Sequence, residues 1–165
     1  MAEELFVNTN GGKKGMYESL LPQLAALTGG EPDLVANLSN ISAALKGVFG
    51  WWWVGFYWVK GGELVLGPFQ GPVACTRIKF GRGVCGTAWE EARSLLVPDV
   101  GKFPGHIACS SLSVSEIVVP VFDSAGQVRG VLDVDSERYG VLDETDVVYL
   151  QKIAGLISQL LVEGS

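Results

Sequence analysis

The sequence has no run of basic residues, and 12 Lys+Arg against 18 Asp+Glu leave a formal net charge of −6. That argues against nucleic acid or an anionic membrane surface as the main partner. No apolar run is long enough to span a bilayer: the longest near-apolar stretch, Val48 to Val59, is interrupted by glycines. The opening MAEELFVNTN lacks the basic-then-apolar order of a secretory signal, so a cytoplasmic location is expected. Charged residues make up only 18%, against the roughly 25% usual in soluble domains, while 48% are hydrophobic. A disordered chain needs the reverse composition. Internal repeats, low-complexity blocks and a domain-separating linker are all missing, and 165 residues suffice for one sizeable core. Cysteine is scarce and odd in number: Cys75, Cys85 and Cys109. Without a signal peptide, a structural disulfide framework is not expected. Composition leaves inert buried thiols and reactive thiols both open.

What is present reads as alternating periodic segments punctuated by glycine. Leu20, Leu21, Leu24 and Leu27 fall at helical spacing between Tyr17 and the stop at Gly29-Gly30. Pro32-Asp33 opens a second helix with Leu34, Leu38, Ile41 and Leu45 on one stripe, Pro32 being placed in the first turn. From Trp51 the period changes: WWWVGFYWV reads as a buried strand, and Gly61-Gly62 joins it to Glu63–Phe69 as a hairpin. A loop with Cys75 follows, then a short helix over Arg82–Ala92 and a short strand over Ser94–Val97. The long irregular stretch from Pro98 to Ser113 marks a functional or mobile loop. Strands over Glu116–Phe122 and Gln127–Asp135 come next, and a helix over Asp143–Val162 ends the chain. The pattern predicts an α+β domain: a central antiparallel sheet with helices at both ends.

Three constellations could carry chemistry. In WWWVGFYWV, alternation puts Trp53, Gly55 and Tyr57 on one face, the glycine leaving an opening for another backbone or a ligand; a strand with both faces in the core competes with that reading. In VLDVDS, Asp133 and Asp135 share a face with no Lys or Arg between them, and Glu116 heads the preceding strand. Such a face is either wet or bound by something cationic. A hard-cation cage finds no further ligands in the sequence, so no metal is assigned. Among the cysteines, Cys85 in GRGVCGTAW falls in the first turn of a helix, where the dipole and Arg82 would lower its thiolate pKa. Cys109 follows His106 by three residues, and that imidazole would either polarise the thiol or cap a loop carbonyl. A Cys3His zinc site lacks any C-x-x-C pair, and a Cys-His hydrolase lacks a further orienting group.

Read together, WVGFYWV, ELVLGPFQGPVACTRIKFGRGVCGTAWE, VPDVGKFPGHIACSS, SEIVVPVF and GVLDVDS resemble the free methionine-(R)-sulfoxide reductase family, which is built on a GAF domain. The resemblance runs from about Met16 to Leu161, which implies a tail over 1–15 and one GAF domain over 16–162. It implies reduction of the R-sulfoxide of free methionine, with Cys109 in GHIAC as nucleophile and Cys75 in PVACTRI as resolver. Cys85 would be a second resolver or a structural thiol. Trp53 and Tyr57 would hold the substrate methyl; Glu116, Asp133 and Asp135 would hold the ammonium and the sulfoxide oxygen. A carboxylic acid kept neutral by neighbouring carboxylates would activate that oxygen, with Glu116 and Asp135 in the catalytic set. The resulting sulfenic acid would condense with Cys75, and a thioredoxin-like dithiol protein would reopen the disulfide, with no bound cofactor. The family also implies an oxidative-stress role and a homodimer paired through terminal helices.

The sequence departs from the family pattern at Ser110, where Asp is expected after HIAC, and at Leu112 and Val114, where smaller or polar residues are expected. A GAF-type binding module that senses an amino acid or redox state without turnover is the competing function. Three cysteines in these blocks favour the enzyme, since a sensor needs only the pocket.

Overall fold

The computed structural model describes residues 4–107, 109 and 112–164, and the departure at Ser110 lies outside them. Helix α1 spans Gly12–Thr28, so it begins ahead of Met16, and Leu5 and Val7 from the segment before it pack against the core. Helix α2 spans Leu34–Phe49. Its cap is Asp33, whose side chain accepts from the Ala36 N–H at 2.9 Å; Pro32 therefore precedes the cap instead of occupying the first turn. Strand β1 (Trp53–Lys60) returns through Gly61 and Gly62, with φ of 58° and 82°, into β2 (Glu63–Gln70). Positive φ at both central residues is what a two-residue hairpin turn demands. The expected loop after β2 contains a three-residue strand, β3 (Arg77–Lys79). Then come α3 (Gly83–Glu91), β4 (Leu95–Val97), a 3-10 turn over Val100–Lys102, β5 (Ser115–Phe122), β6 (Val128–Ser136) and α4 (Glu144–Gly164).

All six strands form one antiparallel sheet in the order β3-β2-β1-β6-β5-β4. Period-two alternation splits its side chains between two cores. Val54, Phe56 and Trp58 of β1, Leu132 and Val134 of β6, and Ile117, Val119 and Val121 of β5 pack under α1, α2 and α4. On the opposite face Trp53, Tyr57, Val118 and Val131 meet Val84, Cys85 and Ala88 of α3. Among the described residues no helix is long and apolar enough to cross a membrane.

Candidate active site

The register places the site. Trp53 of β1 pairs with Asp135 of β6, which pairs with Glu116 of β5, so the three stand in one row across the sheet. The next row on the same face is Gly55, Asp133 and Val118. Alternation thus sends Trp53, Tyr57, Asp133, Asp135 and Glu116 toward α3 and away from the three-helix layer. The opening left by Gly55 is filled from within: a Cβ there would lie 2.6 Å from Trp53 Cη2 and against the Phe69 side chain. The indole lies across that gap, its ring centroid 5.2 Å from Phe69 and 5.9 Å from Tyr57.

Two polar tips of this aromatic wall hold the loop that carries Cys75. Trp53 Nε1 donates to the Pro72 carbonyl at 3.1 Å, and the Tyr57 hydroxyl donates to the Cys75 carbonyl at 2.8 Å. Burial first, and then the nearby carboxylates, push the Tyr57 phenol up, so it remains a donor. Cys75 and Cys109, 34 residues apart in sequence, are joined as a disulfide with Cα atoms 5.4 Å apart. Every residue of the expected catalytic and substrate-binding set lines one cavity of about 50 Å³ except Cys75, which reaches it through its bond to Cys109.

The carboxylate face is not solvated. Asp133 and Glu116 are only 5% and 6% exposed, and Asp133 Oδ1 is buried without a hydrogen-bond partner. Burial raises all three carboxyls. Asp133 is pulled back by hydrogen bonds from Glu116, Cys85 and Asp135, while its charge drives Glu116 and Asp135 higher still. Glu116 and Asp135 are therefore the carboxyls pushed furthest above the ordinary range, with Asp133 raised less.

Cys85 overturns the expectation of a lowered thiol pKa. It is 3% exposed, with Sγ 3.9 Å from Glu116 Oε2, and burial followed by the charges of Asp133, Glu116 and Asp135 pushes the thiol up. Desolvation and three carboxylates outweigh a helix dipole worth on the order of 1 kcal/mol. Its sulfur and one oxygen each from Glu116 and Asp133 lie within 4.8 Å of one another, the geometry of a possible metal-ligand set. Cys109, by contrast, is exposed.

His106 lines the cavity, and burial holds its imidazole below the ordinary range, against the pull of Asp133. Two contributors escaped the sequence reading. Ser113 donates to Asp135 Oδ1 at 3.2 Å, and a serine in a serine-rich loop carries no signal of that. Arg82, considered only beside Cys85, is the arginine lining the cavity mouth; its position between Gly81 and Gly83 was the available hint. Of the departures from the family pattern, Leu112 is exposed, while Val114 is half-buried and donates its N–H to the Ser136 carbonyl at 2.8 Å.

The family model of the GAF domain matches residues 34–162. "GAF domain-containing protein A" of Dictyostelium discoideum is 57% identical over 158 residues, covering 95% of this chain and 99% of that protein. "Free methionine-R-sulfoxide reductase" of Saccharomyces cerevisiae is 41% identical over 166 residues, covering 96% of this chain and 92% of the relative. Among solved structures, a free methionine-R-sulfoxide reductase from Neisseria meningitidis in complex with its substrate superposes with a TM-score of 0.95. It is 50% identical, covering 99% of this chain and 98% of that one.

Proposed function

The chain belongs to the GAF-domain family of free methionine-R-sulfoxide reductases, and from that premise we propose that it reduces free methionine-(R)-sulfoxide to methionine. One observation carries the reading. A cysteine pair within bonding distance presents Cys109 to a cavity that is also lined by a buried carboxylate cluster with an unpartnered oxygen. A free amino acid supplies what that cluster lacks, because its ammonium compensates Asp133. Arg82 at the mouth suits its carboxylate, and the Trp53–Tyr57 wall suits its methyl.

In the proposed reaction the protonated carboxyl of Glu116, supported by Asp135, donates to the sulfoxide oxygen. This makes sulfur electrophilic and leaves no full negative charge on oxygen. Cys109 attacks in its reduced form; the sulfoxide oxygen ends on Cys109 as a sulfenic acid, and methionine leaves. The Cys75 thiol then displaces that oxygen as water, forming the disulfide. Cys109 is oxidised by two electrons in the first step and the sulfoxide sulfur is reduced by two. An external dithiol, taken here as a thioredoxin-like protein of a reducing cytoplasm, restores both thiols by exchange, and the exposure of Cys109 supports that access. Pairing of two copies across the groove between α1 and α4, where Leu21, Pro22 and Tyr149 lie, belongs to the same proposal.

The test is selectivity in a thioredoxin-coupled assay. Free methionine-(R)-sulfoxide should turn over, with little activity on the S epimer or on sulfoxide within a peptide, whose amide bonds remove the charged groups the cavity recognises. Equal rates on free and peptide-bound substrate would refute the reading.

A further inference from the structure

Cys85 takes no part in the disulfide, yet its sulfur points into the cavity among the carboxylates. We propose that Cys85 Sγ, a Glu116 carboxylate oxygen and Asp133 Oδ1 form a zinc-binding site that competes with the amino-acid ligand for the cavity. Two independent features support it. The three donor atoms lie within 4.8 Å of one another on β5, β6 and the first turn of α3, elements packed as one core. Asp133 Oδ1 is buried without a hydrogen-bond partner on a residue that lines the same cavity, and a cation satisfies such an oxygen directly.

The donor set fits zinc by chemistry and by size. Zinc is borderline-soft and takes thiolate, imidazole and carboxylate together, with ligand distances of about 2.3 Å to sulfur and about 2.0–2.2 Å to oxygen. Tetrahedral ligands at those distances stand roughly 3.6 Å apart. Cys85 Sγ and Glu116 Oε2 are already at 3.9 Å, close to that spacing. Three protein ligands leave the fourth position open to water. Binding displaces the protons that the thiol and the carboxyls hold, so it is accompanied by proton release. Magnesium and calcium, which require all-oxygen cages, are excluded by the sulfur.

Binding itself depends only on this geometry; the competition with methionine rests on the proposed function. The experiment uses the whole chain with the Cys75–Cys109 disulfide closed, so that Cys85 is the free thiol. Titration with Co²⁺ as the spectroscopic probe should reach one equivalent per chain, with a thiolate-to-cobalt charge-transfer band that Zn²⁺ abolishes by displacement. Cys85→Ser should lose the band, and Asp133→Asn, which keeps the thiol, should weaken binding by about tenfold or more. Free methionine should suppress the band competitively. No band with the oxidised chain, or a band unchanged in Cys85→Ser, overturns the site even where the metal-free enzyme releases methionine normally. A band that methionine leaves untouched upholds the metal site and counts instead against the cavity as the amino-acid site.

Discussion

At the scale of single residues, Asp133 sets the behaviour of its neighbours. Burial, and after it the charge of Asp133, raise Glu116 and Asp135 above the range in which exposed carboxyls ionise. Removing the proton donor should therefore damage the reaction more than the fold. Glu116→Gln and Asp135→Asn are each expected to lower kcat by on the order of 10²–10³, with folding retained by circular dichroism. The same protons make stability depend on pH in an unusual direction. The folded chain holds protons that the unfolded chain has lost, so stability falls as pH climbs from the ordinary carboxylate range through the raised values. The slope is about 1.4 kcal/mol per pH unit for each proton held. Glu116→Gln should flatten this slope and be the more stable protein at the alkaline end; urea midpoints between about pH 4 and 8 would show it. Parallel profiles for the two proteins would mean that Glu116 is ionised in the fold.

At the scale of elements, β1 combines two tasks. Its aromatic face walls the cavity, and the indole and phenol tips tie down the loop bearing Cys75. Tyr57→Phe keeps the ring and deletes one tie. In single-turnover experiments it should slow disulfide closure more than methionine release, so that the sulfenic acid on Cys109 becomes trappable; unchanged closure would show that the tie does not position Cys75. Much of this organisation was legible beforehand. Aromatic and β-branched residues with period two, a Gly-Gly turn, and the 3.6-residue leucine stripes identify β1, β2, α2 and α4. The three residues of β3 were not legible, because Arg77, Ile78 and Lys79 become a strand only by pairing with Val65, Leu64 and Glu63. Nor could sequence tell that the face with Asp133 is covered. Alternation places side chains on a face, but what lies over that face depends on where α3 docks. The same blindness produced the wrong sign for the Cys85 thiol.

At the scale of the whole molecule, the two ends of the chain are locked to each other. Asp146 of α4 is fully buried and accepts from the Tyr17 hydroxyl and from Lys13 Nζ, both of α1, at 2.6 Å each. It also accepts from the Asp143 N–H at the start of α4. Asp146→Ala removes the acceptor of the Tyr17 hydroxyl and of the Asp143 N–H, while Lys13 keeps the Val141 carbonyl and Asp143. The substitution should cost on the order of 3 kcal/mol in urea unfolding, at the lower end for a buried pair because Lys13 is partly exposed. The site is remote from this lock, so kcat should stay near normal well below the lowered melting temperature. One single-turnover measurement tests the chemistry of the whole protein most directly. Fully reduced chain is mixed with free methionine-(R)-sulfoxide in the absence of any reductant. The expected result is one methionine per chain and loss of two thiols, with the new disulfide mapped to Cys75 and Cys109 and Cys85 still alkylatable after denaturation. No methionine, or methionine released undiminished by Cys109→Ser, would contradict it.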